Sequence, residues 1–284
     1  MNGYILIDKP CGLSSNAALQ KLKRALPEKI KIGHAGTLDP LASGMLIALL
    51  GKATRLSRFA LLLPKTYAVT LCLGASSDSY DSLGQLTSTA DLDGLDHATI
   101  TRAAQTFVGK HPQTPPIFSA LKINGQPAYA LARKGQIPHM KPRSSQLFSL
   151  NITAIDLPLV HCIAHVASGY YIRSLVHDLG QSLNVGAHLI ALHRLSIGPF
   201  TCESMQPLDT LCTNPQAVEL HPPEALLTLP IVKLDAPQAQ RFSRGQKLRL
   251  EGQKKGEVQV HQGGQLIGIA QLKSGMLSPT TVLS

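Results

Sequence analysis

The stretch GHAGTLDPLASG, residues 33–44, guides the interpretation of the whole chain. It holds three glycines, one proline, one histidine and one aspartate, between the apolar segments KLKRALPEKIKI and MLIALL. Glycine and proline favour specific backbone conformations, so this composition predicts a loop of defined shape. Asp39 lies near the middle of that loop, and the neighbouring sequence offers no second acid and no metal ligand set around it.

Taken alone, Asp39 has a simple structural explanation. An Asp-Pro pair is typical of a turn in which the aspartate accepts hydrogen bonds from backbone amides. A glycoside hydrolase needs two carboxylates at a set separation, and here a second one would have to come from elsewhere in the fold. A phosphate-binding loop is excluded, because six residues separate Gly44 from Gly51 and Ala53 replaces the required Ser or Thr. No G-x-G-x-x-G occurs, so a nucleotide cofactor is not expected.

The chain has few charged residues, and they are unevenly distributed. Charged residues make up 15% of its 284 positions, and 27 Lys and Arg against 17 Asp and Glu give a formal net charge of +10. Three runs concentrate the positive charge, at residues 21–31, 122–143 and 241–255. Such a distribution favours an RNA or DNA partner. Five aspartates from Asp78 to Asp96, without Lys or Arg, predict a solvated loop away from that partner.

The cysteines and the N-terminus bear on the cellular compartment. The five cysteines form no C-x-x-C pair and are odd in number, which argues against a disulfide framework and a zinc site. The N-terminal MNGYILIDKP reaches Asp8 and Lys9 too early for the apolar core of a signal peptide. No apolar run approaches the roughly 18 residues of a membrane span. We therefore expect a reduced, cytoplasmic protein.

Helical and strand patterns alternate up to about residue 205. In residues 14–26 a capping serine precedes apolar residues at helical spacing. Residues 65–74 alternate as in a strand, with one face formed by Tyr67, Val69, Leu71 and Leu73. Further helices are predicted at residues 99–109, 127–135 and 171–183, and further strands at residues 4–10, 149–157, 160–169 and 188–198.

The amino-acid composition changes after about Met205, where prolines become frequent. Short strands spaced by glycine turns are then predicted at residues 246–250, 256–261, 265–272 and 278–284. This pattern predicts a small β-barrel or sandwich over residues 229–284.

The longer motif GHAGTLDPLASGML, residues 33–46, resembles the signature of the bacterial tRNA pseudouridine-55 synthases, the TruB family. The C-terminal segment is similar to a PUA-type RNA-binding domain. Other segments follow in the order that the family has, over about residues 3–200: DKPCGLSSNAALQKLKR, KTYAVTLCLG, SDSYDSLGQL, PPIFSALKINGQPAYALARKG, GYYIRSLVHDLG and GAHLIALHRLSIG.

The resemblance implies a reaction in which a uridine of RNA becomes pseudouridine, its C5-linked isomer. The base must leave C1′ through N1, rotate and rejoin through C5. Because no atoms are gained or lost, no redox cofactor, energy source or metal is needed. By its place in the motif, Asp39 is the expected nucleophile, which explains the missing second acid. The sequence leaves open whether Asp39 attacks C1′ or C6, or promotes elimination to a glycal.

The resemblance also assigns the surroundings of the nucleophile. Arg173 is expected beside it, where a cation favours the ionised carboxylate; the alternative is a solvated helix position. Tyr67 is expected to stack on a base flipped out of the RNA and to help move its C5 proton. Tyr171 and Leu192 are expected to line the same pocket, and His34 to fill the space that the flipped nucleotide leaves. Core packing is the alternative for Tyr67 and Leu192, and a bond to the loop backbone for His34.

Residues 112–143 resemble the insertion with which this family closes over the RNA loop. The family usually has tyrosine where this chain has Phe118, so a phenol hydrogen bond at that position is lost. Ser79 stands where threonine is common. Three cations of the insertion are expected to hold phosphates: Lys122, Arg133 and Lys134.

The sequence therefore predicts two domains. Residues 1–228 are expected to form an α/β (α+β) pseudouridine synthase fold with a mixed, largely antiparallel sheet, and residues 229–284 a small all-β PUA-like domain. The expected function is tRNA uridine-55 pseudouridine synthesis on the T-arm, by a monomer without an obligate protein partner, membrane or metal. Two alternatives stay open. One is a non-catalytic RNA-binding or RNA-folding protein, and the other a relative that acts on a different RNA or with a guide complex.

Overall fold

The computed structural model describes residues 1–123, 125–136, 138–250 and 255–283. Residues 251–254 of the third basic run and Ser284 of the last predicted strand therefore lie outside the described residues. Shorter 3-10 helices cover Gly51–Leu56, Cys202–Ser204, Pro215–Ala217 and Pro223–Leu226. The α-helices are α1 (Ser15–Ala25), α2 (Ser57–Leu62), α3 (His97–Gln105), α4 (Ala128–Ala132), α5 (Ile172–Ser182), α6 (Leu208–Thr213) and α7 (Ala236–Ser243).

The strands, in chain order, are β1 (Gly3–Lys9), β2 (Ile32–Ala35), β3 (Ser43–Leu50), β4 (Lys65–Leu73), β5 (Ala75–Ser77), β6 (Leu86–Thr89), β7 (Gly109–Gln113), β8 (Lys122–Ile123), β9 (Gln126–Pro127), β10 (Arg143–Asp156), β11 (Leu159–Val166), β12 (Ala187–Ile197), β13 (Phe200–Thr201), β14 (Gln206–Pro207), β15 (Ile231–Lys233), β16 (Leu248–Arg249), β17 (Gly256–Gln262), β18 (Gln265–Lys273) and β19 (Met276–Val282).

Within the described chain, ten strands form one large sheet. Its order is β14-β1-β3-β12-β4-β11-β10-β7, with β2 beside β3 and β13 beside β12. The pairs β1–β14 and β3–β12 are parallel, and the other neighbours are antiparallel. The prediction of a mixed, largely antiparallel sheet is confirmed.

Apolar side chains cover both faces of this sheet. Strand β4 buries Tyr67, Val69, Leu71 and Leu73, as its alternation predicts, in a cluster shared with α3 and α5. Strand β1 sends Ile5 and Ile7 towards α1 and α6. Its other face, with Tyr4 and Leu6, packs in a cluster with Ala60 of α2. The predicted cap of α1 is also confirmed, because the Ser14 side chain accepts a hydrogen bond from the Ala17 amide.

The stretch that opens the sequence analysis is only partly a loop. Gly33 to Ala35 belong to β2, and Ser43 and Gly44 begin β3, so the loop itself covers residues 36–42. The prediction of one continuous loop was wrong at both ends because β2 and β3 pair with each other along the apolar segment after the motif. This hairpin fixes both ends of the Asp39 loop to the sheet.

A second sheet lies at the C-terminal end, in the order β15-β17-β18-β19-β16. The predicted C-terminal β structure is confirmed, and one helix that was not predicted, α7, packs Phe242 into its core. Ile269 of β18 shares an apolar cluster with Leu56, the last residue of the 3-10 helix Gly51–Leu56. The Arg55 side chain donates to the Val282 carbonyl at 2.5 Å. In the described part of the chain no helix is long and apolar enough to span a membrane.

Candidate active site

A cavity of about 390 Å³ opens beside the Asp39 loop. Its lining combines residues 36–39 with one face of β4 and β12, residues 167–171 and the start of α5. Residues 119–121 of the predicted insertion close one side. Segments that are far apart in sequence therefore meet at a single concave site, which is the usual setting for a catalytic group.

The Asp39 loop is held by the segment that follows β1. The Ser15 hydroxyl accepts from the Leu38 amide at 2.7 Å and donates to the Leu38 carbonyl at 3.0 Å. The Gly12 amide donates to the Pro40 carbonyl at 2.8 Å. These bonds fix the backbone on both sides of Asp39. The order in the loop therefore comes from tertiary contacts as well as from its Gly and Pro content.

Asp39 forms an ion pair with Arg173. The Arg173 Nη2 atom lies 2.9 Å from Asp39 Oδ2, and the two side chains are 6% and 39% exposed, respectively. The carboxylate is thus open to the cavity on one side and held by a buried cation on the other. Arg173 lies in the first turn of α5, where the positive end of the helix dipole makes a cation unfavourable unless an anion pairs with it.

The rest of the Arg173 guanidinium is occupied by other partners. Its Nη1 donates to the Ser79 carbonyl at 3.0 Å, and its Nη2 donates to the Phe118 carbonyl at 2.9 Å. The bond to position 118 uses the backbone, so phenylalanine makes it as well as tyrosine would. The Ser79 hydroxyl is also used, because it donates to Asp81 Oδ1 at 2.6 Å.

Asp81 corrects one expectation from the sequence. The aspartate-rich stretch was predicted to be a solvated loop, but Asp81 is only 5% exposed and its Oδ2 lies 3.7 Å from Arg173 Nη1. A second carboxylate therefore stands behind the guanidinium. The other four aspartates of the stretch are exposed as predicted: Asp78, Asp91, Asp93 and Asp96.

Three other predicted site residues also line the cavity: Tyr67, Tyr171 and Leu192. Tyr67 on β4 and Leu192 on β12 are each 8% exposed. Tyr171 is the residue before α5, and its backbone is fixed by Gln113, which accepts from the Tyr171 amide at 2.8 Å and donates to its carbonyl at 2.9 Å. These three side chains give the cavity wall its aromatic and apolar surface.

His34 is not part of the cavity lining. It lies on β2, opposite Ala48 of β3, and its Nδ1 is buried without a hydrogen-bond partner within the described chain. Burial, and then the charge of Arg194, lower the pKa of His34. The bond to the loop backbone that was the alternative for His34 is thus not made by Nδ1.

The three cations of the insertion are not part of the cavity lining. All three are exposed: Lys122 in β8, and Arg133 and Lys134 just after α4. The Arg133 guanidinium stands over the Tyr129 ring, 5.6 Å from its centroid. The structure gives these side chains no carboxylate partner among the described residues, which leaves them available to an anion.

Sequence reasoning missed two buried cations of the cavity wall, Lys65 and Arg194. Lys65 is 5% exposed and donates to the carbonyls of Leu61 and Leu63 at 2.6 Å each. Arg194 is 1% exposed. A signal was present, because strand alternation places Lys65 on the same face as Tyr67, and Arg194 on the same face as Leu192.

These cations create a positive environment around the loop. Burial, and then the charge of Arg194, lower the pKa of Lys65 to about 8. Burial also lowers the pKa of Lys9 to about 8, and Arg194 acts in the same direction. The Lys9 ammonium donates to the carbonyls of Pro10 and Leu13, at 2.8 and 2.6 Å. No group of three or more His, Cys, Asp or Glu residues suited to a metal occurs in the described ranges.

Comparison with known proteins identifies the family. The model of the TruB family pseudouridylate synthase N-terminal domain matches residues 23–172. Residues 173–228 match the tRNA pseudouridylate synthase B C-terminal domain, and residues 230–283 match the C-terminal model of pseudouridine synthase II TruB. The chain belongs to the TruB family. The resemblance seen in the Asp39 motif is thereby confirmed, and the chain is a pseudouridine synthase.

Relatives of the TruB family match over the whole length. A tRNA pseudouridine synthase B of Burkholderia mallei (strain NCTC 10247) is 40% identical over 291 residues, which cover 98% of this chain and 96% of that protein. One from Aquifex aeolicus (strain VF5) is 36% identical over 295 residues, which cover 100% of both.

Solved structures support the fold. A chain of a Cbf5-Nop10-Gar1 complex superposes with a TM-score of 0.75 at 24% identity, covering 99% of this chain and 85% of that one. A chain of the archaeal box H/ACA sRNP Nop10-Cbf5 complex gives 0.74 at 24% identity, covering 100% and 86%. At this identity the likeness concerns the fold alone, and it confirms the predicted fold class.

Proposed function

We propose that this TruB-family chain isomerises uridine 55 in the T-loop of tRNA, with Asp39 as the nucleophile. The observation that carries the proposal is the pair between the half-open Asp39 carboxylate and the buried Arg173 guanidinium. A nucleophile gains rate when it is held in its attack position, and Ser15 and Gly12 hold this loop. The buried Arg173 guanidinium lies 2.9 Å from Asp39 Oδ2 and pairs with the charge of the attacking carboxylate.

The target base has to leave its stack to reach this carboxylate. Flipping costs a few kcal/mol, and stacking and packing in the cavity offset that cost. We assign stacking on the base and assistance to the later C5 proton step to Tyr67, and the remaining apolar wall to Tyr171 and Leu192. His34, outside the cavity lining, is assigned to the gap that the flipped nucleotide leaves in the RNA.

Contacts with the RNA backbone are assigned to exposed cations. Lys122, Arg133 and Lys134 project from the segment that also closes the cavity, so RNA held by them lies across the cavity mouth. We further assign residues 1–228 to the catalytic domain, with an RNA-closing insertion at about 112–143, and residues 229–284 to a PUA-like RNA-binding domain.

The proposed reaction conserves every atom of the uridine. The chain therefore needs to supply a nucleophile, a pocket and charge, and these are all side-chain functions. We assign it to the cytoplasm, where tRNA is available, as a monomer that acts without a protein partner.

Mapping of pseudouridine in tRNA tests this proposal. A tRNA transcript incubated with the wild-type chain should gain pseudouridine at position 55 and nowhere else in the T-arm. Asp39→Asn keeps the shape of the side chain but loses the nucleophile, so conversion should fall by orders of magnitude, each decade being about 1.4 kcal/mol of barrier. An unmodified position 55 with the wild type would overturn the proposal. Tight tRNA binding without conversion would favour the non-catalytic alternative.

A further inference from the structure

Arg194 is a buried guanidinium that no carboxylate neutralises among the described residues. Its Nε donates to the Met45 carbonyl at 2.6 Å, and its Nη2 donates to the Gly36 carbonyl at 2.8 Å. Its Nη1 makes one long contact, 3.5 Å, with the Tyr67 hydroxyl. A guanidinium has five N–H donors, so the Nη1 side of Arg194 holds donor capacity that the described residues do not use.

The neighbours of the Arg194 Nη1 atom, Tyr67 and Gly36, both line the cavity. Arg194 is paired with Tyr67 across β12 and β4, and its Cζ lies 6.0 Å from the centre of the Tyr67 ring. Both residues line the cavity. Gly36 has a φ of +84°, which favours glycine, and a Cβ there would be in van der Waals contact with Arg194 Nη1 at 3.4 Å.

The charges of the cavity wall do not balance. Three cations line it, Lys65, Arg173 and Arg194, whereas Asp39 is the one acid among the described lining residues. Arg173 is already paired with Asp39 and with Asp81 behind it. The positive charge in excess is therefore that of Arg194 and Lys65, on the side of the cavity where Tyr67 lies.

We propose that Arg194, supported by Lys65, stabilises the negative charge that develops on the uracil ring during isomerisation. This inference rests on the proposed function and adds a catalytic residue to it. Preorganised donors aimed at developing charge in a water-poor site are among the largest single contributions to catalysis. Tyr67, the cross-strand neighbour of Arg194, is the residue assigned to stack on that ring.

The electron count shows why the ring needs a cation. When Asp39 attacks C1′, a carboxylate oxygen forms the new C1′–O bond, and the electron pair of the C1′–N1 bond stays on the ring as a uracil anion. The ring turns, C5 donates a pair to C1′, and the carboxylate leaves with its own pair. The C5 proton is then lost and N1 gains one. On the C6 route, addition also places a negative charge on the ring, over C5 and O4. Arg194 serves the ring anion on both routes.

Single-turnover rates of two variants at saturating RNA test the inference. Arg194→Met removes the charge at similar length and should slow conversion of uridine by about 10²–10³-fold, the usual cost of one such donor. Arg194→Lys keeps the charge and should recover part of that rate. The dissociation constant for tRNA should stay near that of the wild type, because the loss concerns the reacting ring. The unfolding temperature of Arg194→Met should fall, since the Met45 and Gly36 carbonyls lose their donor.

A substrate whose base is a better leaving group distinguishes a catalytic role of Arg194 from a structural one. Fluorine at C5 stabilises the ring anion by itself, so an RNA with 5-fluorouridine at the target position depends less on an external cation. Chromatography of nuclease digests, which follows loss of the intact nucleoside, should show a smaller ratio of wild-type to Arg194→Met rates than uridine gives.

Two results would contradict the role proposed for Arg194. Equal losses of rate in the Lys and Met variants, unchanged by fluorine, would make Arg194 a structural tie between β3 and the loop and would overturn the inference. Full activity of Arg194→Met would also overturn it. Failure of the proposed function would appear instead as an inactive wild type, or as an active Asp39→Asn.

Discussion

The cavity wall and the insertion use the same residue types in opposite ways. Arg173 and Arg194 are 5% and 1% exposed, and carbonyl oxygens accept from both. Lys122, Arg133 and Lys134 are exposed, and no hydrogen bond from their side chains to the described protein is formed. The protein itself orients the two cavity arginines, whereas the three cations of the insertion are available to a partner.

Buried and exposed cations are expected to act in different ways. Buried and oriented charge acts strongly on a reacting group because water does not screen it. Exposed charge acts on a polyanion mainly through counterion release, which depends on salt. We therefore expect changes in the cavity to alter the rate of the chemical step, and changes in the insertion to alter RNA affinity and its salt dependence.

The largest effect is expected at Arg173. Arg173→Met leaves the buried Asp81 and the Asp39 carboxylate without their cation, and breaking a buried pair in this way costs about 3–5 kcal/mol of stability. Conversion should fall at the same time, because the loop loses a partner. Denaturant unfolding and single-turnover assays measure both effects. Arg102→Met, an exposed site on α3, is the control. Wild-type stability and rate in Arg173→Met would show that the pair has no role.

A smaller effect, which distinguishes RNA binding from reaction rate, is expected at Tyr67. Tyr67→Phe keeps the ring and should bind RNA normally while slowing a late proton step, whereas Tyr67→Leu should weaken binding and rate together. Rates and dissociation constants measured side by side distinguish the two variants. If neither quantity changes in either variant, Tyr67 is a core residue of β4 and the assignment fails.

The buried Lys65 predicts a pH dependence of stability. Its pKa is about 8 in the folded chain and 10.5 in water, so the unfolded chain binds more protons between these values. The free energy of unfolding should therefore rise between pH 8 and 10.5, by about 1–3 kcal/mol from this group, and be lost as pH falls through 8. Denaturant titrations should show a shallower rise for Lys65→Met. Lys52→Met, an exposed lysine, should leave the slope unchanged, and equal slopes in both variants would contradict the assignment.

The smallest effect on the chemical step is expected in the insertion. The triple change of Lys122, Arg133 and Lys134 to Ala should weaken binding of a T-arm stem-loop and flatten the plot of log affinity against log salt by about 2–3, since each phosphate contact contributes about 0.7–0.9. Turnover at low RNA concentration should fall accordingly. Arg102→Ala, outside the three basic runs, is the control. An unchanged salt slope in the triple variant would remove these residues from the RNA interface.

The sequence predicted those parts of the site that a local motif carries. The family resemblance placed Asp39 and Arg173 together, and Tyr67, Tyr171 and Leu192 meet them in one cavity. Lys65 and Arg194 were missed, although alternation places them on the correct strand faces. Whether a charged residue on such a face is buried depends on β4 and β12 becoming neighbours, which no local pattern specifies.

Two further misses have different causes. Asp81 looks like its four exposed neighbours in sequence, and only the approach of Arg173 from α5 makes it a buried ion-pair partner. Helix α7 did carry a local signal, since Asp235 and Gln238 form a capping box at its start. The strand patterns on the C-terminal side of that box dominate the local sequence, so the box alone does not predict the helix.

The role of Asp39 is tested most directly by comparing a cavity variant with an insertion variant in one experiment. Single-turnover rates at saturating tRNA and dissociation constants would be measured for Asp39→Asn and for the triple insertion variant. Asp39→Asn should bind tRNA like the wild type and lose its rate by orders of magnitude, whereas the triple variant should bind weakly and regain most of its rate at saturation. Near wild-type conversion by Asp39→Asn in this assay would contradict the central claim that Asp39 is the nucleophile.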